Sequence, residues 1–223
     1  MPRGQSFLPK FALVNNHQNT TCIVELHYLP CIQYFSLFFK YDEIYIEKHE
    51  HYRKGSYRNR CYIGSGTGRQ MLSVPLLKGK HQQMPITDVR IAYHTAWHAQ
   101  HWHAIQTAYG KAPFYAHYAD PIREILYRRF DFLYALNMTL LAWLMRETSA
   151  TGQLLETSEY EQVGSATTAL HDSITPSSAF HHHKYNQVFM DRRDFIENLS
   201  VLDLLMHMGP ESHRYLKGID SLS

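Results

Sequence analysis

Three clusters of side chains in this sequence have the residue types and spacing for chemistry. The first runs from His49 to Arg60 (HEHYRKGSYRNR). Four full positive charges (Arg53, Lys54, Arg58 and Arg60) fall between His51 and Arg60 with no acid among them. Arginine forks match the two oxygens of a phosphate or carboxylate, and Lys54 adds a compact point charge. Tyr52 and Tyr57 lie between these cations and can stack on a base or a sugar. The plainer alternative is a solvated loop whose arginines pair with the chain's own acids. The second cluster is His27, Tyr28 and Gln33 around Pro30. A histidine at the end of a buried strand and before a helix sits where open α/β sheets bind ligands, and the helix amino end favours an anion. Here the alternative is that His27 and Gln33 are hydrogen-bonded strand-end residues.

The third cluster is WHAQHWH, from Trp97 to His103. His98 and His101 fall three residues apart on one helix face, as two metal ligands can. No Asp, Glu or Cys at usable spacing completes a set, and the His181 to His183 run lies in an irregular stretch. Aromatic packing of a core helix explains the third cluster more simply, so no metal is assigned. The glycine series Gly64 to Gly68 is not a phosphate loop. No Lys-Ser or Lys-Thr follows it, and Arg69 and Gln70 lead into a strand.

These clusters need elements to hold them. Cys22 to Leu26 reads as a buried first strand, ended by Pro30. Ile32 to Lys40 is an aromatic-rich helix, and Glu43 to Glu47 a second strand. Tyr62 to Ile63 and Met71 to Leu76 flank the glycines as a β-hairpin. Asp88 to Tyr93 alternates as a further strand. A helix capped by Thr95 runs to Tyr109 and stops at Gly110. The longest helix is predicted to start at Asp120-Pro121 and carry its apolar stripe through Leu144. Residues 151–183 are mostly irregular, with room for one or two short strands. Ser200 and Asp203 read as a capping pair opening a last helix that ends at Gly209-Pro210. Residues 1–20 show no periodicity and read as an unstructured extension.

The expected architecture is therefore α/β, with α+β open: one domain over residues 21–218, a strand-rich amino-terminal half with a hairpin, and a helical carboxyl-terminal half. The chain has 223 residues, 44% of them hydrophobic, so it can bury a sizeable core. A formal net charge of +2 gives no overall field for nucleic acid. Phe132 to Met145, the most apolar stretch, is too short to span a bilayer comfortably and fits a buried helix. Three cysteines without a CxxC pair read as reduced thiols, which suits the cytoplasm.

Several blocks resemble those of the WbqC-like protein family. They are Tyr28 to Phe35, His49 to Tyr52 with Lys54 and Ser56 to Arg60, Leu72 to Pro75, and Val89 to Ile91. Trp97, His101, Trp102, Ile105, Tyr109 and Ala112 to Phe114 continue the pattern. Tyr185 to Phe189, Asn198 to Leu205 and Gly209 to Ser212 close it. The likeness covers about residues 22–217 in co-linear order. Two departures stand out: residues 1–20 have no counterpart, and Asp191 to Asp194 stand where a histidine-glycine pair is usual. The resemblance implies a bacterial protein, with some members lying among genes for O-antigen and other surface polysaccharides. It carries over no agreed catalytic mechanism and leaves the cofactor open. It raises the weight of His27, Gln33, Lys54, Arg58, Asn59, Arg60, His101 and Gln187. The expectation is an enzyme, a possible transferase, acting on a nucleotide-linked sugar or another phosphate-bearing metabolite. His27 and Gln33 are its candidate catalytic residues. Tyr28, Lys54, Arg58, Asn59, Arg60, His101 and Gln187 are its candidate substrate-binding residues. The alternative is a non-catalytic binding or scaffold module. Sequence alone leaves the oligomeric state open.

Overall fold

The computed structural model describes residues 20–77, 84–160 and 167–219. Its centre is a sheet of four parallel strands: β1 (Thr21–Val24), β2 (Glu43–Ile46), β5 (Gln153–Glu156) and β6 (Thr167–Ala169), in the order β5-β2-β1-β6. Cys22 sits opposite Ile44 on one side and Thr168 on the other. Such a sheet is covered on both faces, which explains the near-continuous apolar run of β1. β1 leads through α1 (Ile32–Lys40) to β2, the parallel crossover that strand-helix-strand patterning predicts. Gly152 enters β5 so close to β2 that a Cβ there would lie 2.2 Å from Ile44 Cδ1, so a glycine is required.

A separate antiparallel hairpin pairs β3 (Arg60–Ser65) with β4 (Gly68–Ser73) around the expected glycine turn. The helices follow as α2 (Trp97–Tyr109), α3 (Tyr115–Tyr127), α4 (Leu133–Thr148), α5 (Val201–Met208) and α6 (Ser212–Lys217). The fold is α/β, with the hairpin and a largely helical carboxyl-terminal part as expected. β5 and β6 are the two short strands of the 151–183 stretch. The expected extension falls on residues 1–19, which lie outside the described residues, apart from Thr20, whose carbonyl accepts from Asp42 and Glu43 at the head of β2.

Three expectations need correction. Asp88 to Tyr93 is not a regular strand. A 3₁₀ turn covers Ile86–Asp88, and beyond it only the single bridges Leu76–Ile91 and Arg90–Phe132 form. Its amides bond to neighbouring loops: Ile91 donates to Asp131, and Ala92 to Pro75. The same contacts divide the long helix in two. Residues 128–132 are drawn out because the Phe130 amide donates to Tyr93 Oη, which in turn donates to the Phe130 carbonyl. Pro121, expected to open the helix, lies inside α3. Finally, α2 starts after Ala96 with no side-chain cap from Thr95.

The apolar stripe itself behaves as read: Leu133, Leu136, Leu140, Leu141 and Leu144 of α4 are fully buried. No helix among the described residues is long and apolar enough to cross a membrane. Cys22, Cys31 and Cys61 are buried and free.

Candidate functional site

The carboxyl ends of β1, β2 and β6 converge on one polar cluster. The chain leaves β1 toward β2 on one side and reaches β6 on the other, so the β1/β6 boundary is the point where strand order reverses, the usual ligand crevice of an open parallel sheet. Glu25 and His27 lie two residues apart just past β1, a spacing that puts alternate side chains of extended chain on one face. Both are buried, and His27 Nε2 is 2.8 Å from Glu25 Oε1. A carboxylate only accepts, so Nε2 carries the hydrogen and Nδ1 is left as a bare lone pair. Nδ1 is buried without a hydrogen-bond partner. The ring stacks on Tyr34 at 4.1 Å between centroids and leans on Tyr57.

Arg58 comes from the 3₁₀ turn Tyr57–Asn59 that precedes β3, a turn opened by Ser56 Oγ accepting from the Arg58 amide. Its guanidinium is buried and faces two acids. Nε donates to Glu50 Oε1 at 2.8 Å, Nη2 to Glu50 Oε2, and Nη1 to Asp172 Oδ1 at 3.0 Å. Asp172 follows β6, and its amide donates to Glu25 Oε2 at 3.1 Å, tying the two crevice strands together. Asn137 of α4 holds the turn by donating to the Arg58 carbonyl at 2.7 Å. A cleft of roughly 420 Å³ has Glu50, Arg53, Arg58, Tyr160, His171 and Asp172 among its lining residues, while Glu25 and His27 are buried and do not line it.

Burial sets the proton affinities here. It drives His27 below its ordinary value despite Glu25, so the imidazole is neutral near pH 7. Burial alone would raise Glu25, but the His27 hydrogen bond and the fields of His27 and Arg58 outweigh it and hold the carboxyl at about 2. Burial pushes Glu50 up against the pull of Arg58. For Arg58 burial opposes the charge, yet Glu50, Glu25 and Asp172 hold its affinity above the ordinary value. The result is a neutral base held by an ionised acid, next to a charge-matched arginine.

The structure therefore brings His27 and Arg58 together and sends the other predicted residues elsewhere. Tyr28 Oη is 2.8 Å from His101 Nδ1 in the core. Burial drives His101 down to about 4, so it too is a neutral packing residue near pH 7. Gln33 contacts Asn198: its amide donates to Asn198 Oδ1 at 3.0 Å, and Ile32 donates to the Leu199 carbonyl. The amino end of α1, expected to attract an anion, thus has these donors occupied by the protein. Asn59 accepts from Tyr52 Oη and donates to the Val74 carbonyl. Arg60 starts β3 on the hairpin, and Lys54 is exposed in the turn before it. Gln187 bonds Ile196 and Asp203, far along the chain from the crevice strands. Tyr52 and Tyr57 are buried, which removes them as open stacking faces.

Sequence reasoning counted Arg53 in the cationic run without giving it a role, and missed Glu25, Glu50, His171 and Asp172. Glu25 carried a signal, an acid two residues before His27 at the end of an apolar strand. Asp172 carried none, because its partners lie 114 and 147 residues away.

Comparison with known proteins places the chain. A family model described as the WbqC-like protein family matches residues 26–176, which include α1, β2 to β6 and the residues lining the cleft, but neither β1 nor Glu25. The chain belongs to the WbqC-like protein family. A relative from Mycobacterium tuberculosis (strain ATCC 25618 / H37Rv), the uncharacterized protein Rv1507c, is 27% identical over 225 residues, covering 87% of this chain and 96% of the relative. No solved structure matches. Within the WbqC-like region, the matched span holds His27, Arg58 and Asp172 but not Gln187, which lies beyond it.

Proposed function

We propose that this WbqC-like protein is an enzyme that binds a small phosphate-bearing metabolite in the carboxyl-end cleft and transfers a group to or from it. A nucleotide-linked sugar of surface-polysaccharide synthesis is the substrate class that the family resemblance implies, and a cytoplasmic place suits three free thiols. One observation carries the reading: at the strand-order reversal a buried histidine has its tautomer fixed by Glu25, whose other oxygen accepts from the amide of Asp172 in the wall of a cleft of roughly 420 Å³. In this reading Glu25 keeps the hydrogen on Nε2 and His27 Nδ1 takes a proton from an acceptor O–H or N–H as that atom forms the new bond. The leaving group departs with the old bonding pair. Arg58 acts through Glu50 and Asp172 as a positioning residue. Gln33 and Gln187 have no part in the reaction step. A binding module without catalysis is the second reading, favoured by the burial of the His27 ring.

Calorimetry against nucleotides and nucleotide sugars, followed by product analysis, tests both readings. The enzyme reading expects binding by the wild type, and turnover lost at least a hundredfold in His27→Gln with binding kept. Binding with no turnover by wild type under any acceptor supports the module. No heat from any nucleotide or nucleotide sugar removes the phosphate-ligand assignment altogether.

A further inference from the structure

Two arginines share the carboxylate of Asp172, and they are not equivalent. Arg58 has a side chain only 1% exposed, and both oxygens of Glu50 grip it as well. Arg53 has a side chain 63% exposed, and its ion pair runs to the other oxygen of the same aspartate, Asp172 Oδ2. Asp172 itself is firmly seated. Its backbone is left-handed, with φ of 54°, a conformation that Asp tolerates better than most residues, and its amide is held by Glu25. The Arg53 backbone is fixed separately, since Ser56 Oγ donates to the Arg53 carbonyl at 2.7 Å. The Arg53 side chain can therefore leave Asp172 with no change in either backbone, and Asp172 then keeps Arg58 as its partner. Tyr160 and His171 stack along the same cleft, with ring centroids 6.4 Å apart.

We propose that Arg53 is the ligand-binding cation of the cleft and that Asp172 holds it in waiting, releasing it to a phosphate of the incoming ligand. The inference rests on reading the cleft as a site for a phosphate-bearing molecule. It adds which cation makes the contact and what competes for it. An exposed ion pair is weak because water screens it, whereas a guanidinium meeting phosphate in fork geometry gains two charge-assisted hydrogen bonds. The exchange favours the ligand, and Asp172 sets the threshold by competing for the same fork. Arg58 does not do this, because moving it would leave Glu50 buried without its partner.

A double-mutant cycle at residues 53 and 172, titrated calorimetrically with adenosine, uridine, cytidine, guanosine and thymidine diphosphates, tests the proposal. Asn also tolerates the left-handed backbone, and its amide oxygen still accepts from Arg58, so Asp172→Asn keeps the framework. Circular dichroism and thermal melts verify that each variant is folded. The expected pattern is about tenfold weaker binding in Arg53→Gln, about threefold tighter binding in Asp172→Asn, and no gain from Asp172→Asn when Arg53 is already Gln. If wild type binds a diphosphate and Arg53→Gln binds it equally well, the role of Arg53 is overturned while the cleft reading stands. If the Asp172→Asn gain persists in the Arg53→Gln background, Asp172 merely repels anions and does not hold Arg53. If neither wild type nor Asp172→Asn binds any of the five diphosphates, the role of Arg53 and the reading it rests on both fall.

Discussion

Two buried polar clusters in this molecule look alike as residue lists and differ as environments. One is Glu25, His27, Glu50, Arg58 and Asp172 at the end of the parallel sheet. The other is Tyr185, Gln187, Asp203 and His207, where α5 packs against the 185–197 segment. In the second, Asp203 Oδ1 accepts from Tyr185 Oη at 2.6 Å and from Gln187 Nε2 at 3.2 Å. His207 Nδ1 is 2.7 Å from the Asp203 carbonyl, and its Nε2 accepts from the Val188 amide at 2.9 Å. Both ring nitrogens are used, and the adjoining space is only about 10 Å³, close to the least that one water needs. The sheet-end cluster instead leaves one ring nitrogen bare, and its Glu50, Arg58 and Asp172 line a cleft about forty times larger. A histidine-carboxylate pair is thus no sign of chemistry by itself. The bare lone pair and the adjoining room separate a candidate site from a polar clasp.

The largest effect is expected where the sheet-end cluster is broken on one side only. Arg58→Met leaves Glu50 and part of Asp172 without a partner, and removing one member of a buried pair costs about 3–5 kcal/mol. The double variant Arg58→Met with Glu50→Leu removes both charges and is expected to recover most of that loss in urea unfolding. Equal instability in single and double variants would mean that Arg58 contributes packing alone. The comparison would then lose its electrostatic half.

The same cluster shows how far sequence reaches. β1, α1 and the hairpin were legible because each is marked locally: an apolar run ended by Pro30, an aromatic helix, and glycines between alternating residues. His27 and Arg58 were legible for the same reason, one at a strand end and one in a cationic run. The division between α3 and α4 was not, because the break is made by hydrogen bonds from Tyr93, 37 residues away. The surroundings of each cation in the basic run were not legible residue by residue. Arg58 and Arg53 look identical in sequence, and only Glu50 and Asp172 make one a buried strut and the other an exposed arm. Ser200 was rightly taken as a helix cap, since its Oγ accepts from Leu202. Its expected partner Asp203 turns instead toward Tyr185 and Gln187, because a sealed interior needed an acceptor there more than the helix end did. At Asp191 to Asp194, where the resemblance implies a histidine-glycine pair, the backbone has no need of a glycine. None of these residues has positive φ, and ordinary turn bonds from Arg192 and Arg193 to the Phe189 carbonyl close the loop.

An acid titration of stability gives the next effect in size. Glu25 is held at about 2 in the fold against an ordinary 4.5, so it stabilises the protein fully above pH 4.5 and loses that contribution as pH falls toward 2. The full difference is worth about 3 kcal/mol, an upper figure because His27 shares it. His27 adds in the same direction at higher pH. It is neutral when buried and titrates near 6.5 when unfolded, so stability begins to fall as pH drops below 6.5. Glu25→Gln should therefore flatten the unfolding profile between pH 4.5 and 2. An unaltered profile in Glu25→Gln would place the acid sensitivity outside the sheet-end cluster.

The smallest effect is the sharpest for the comparison, because it concerns Gln187, a residue that sequence grouped with the substrate-binding set. Gln187 Nε2 donates to the Ile196 carbonyl at 3.0 Å, and its Oε1 accepts from the Ile196 amide at the same distance, so the side chain bridges its loop as a strand would. Gln187→Leu removes these bonds and leaves Ile196 partly unsatisfied. The expected cost is about 1–2 kcal/mol, since the loop is only half-buried and water can replace part of what is lost. Ligand affinity measured by calorimetry well below the melting temperature should stay within about twofold of wild type, as expected for sites that share no partner. The opposite result, a loop that stays stable while affinity drops tenfold or more, would join the two clusters into one site and make the clasp around Asp203 part of the chemistry.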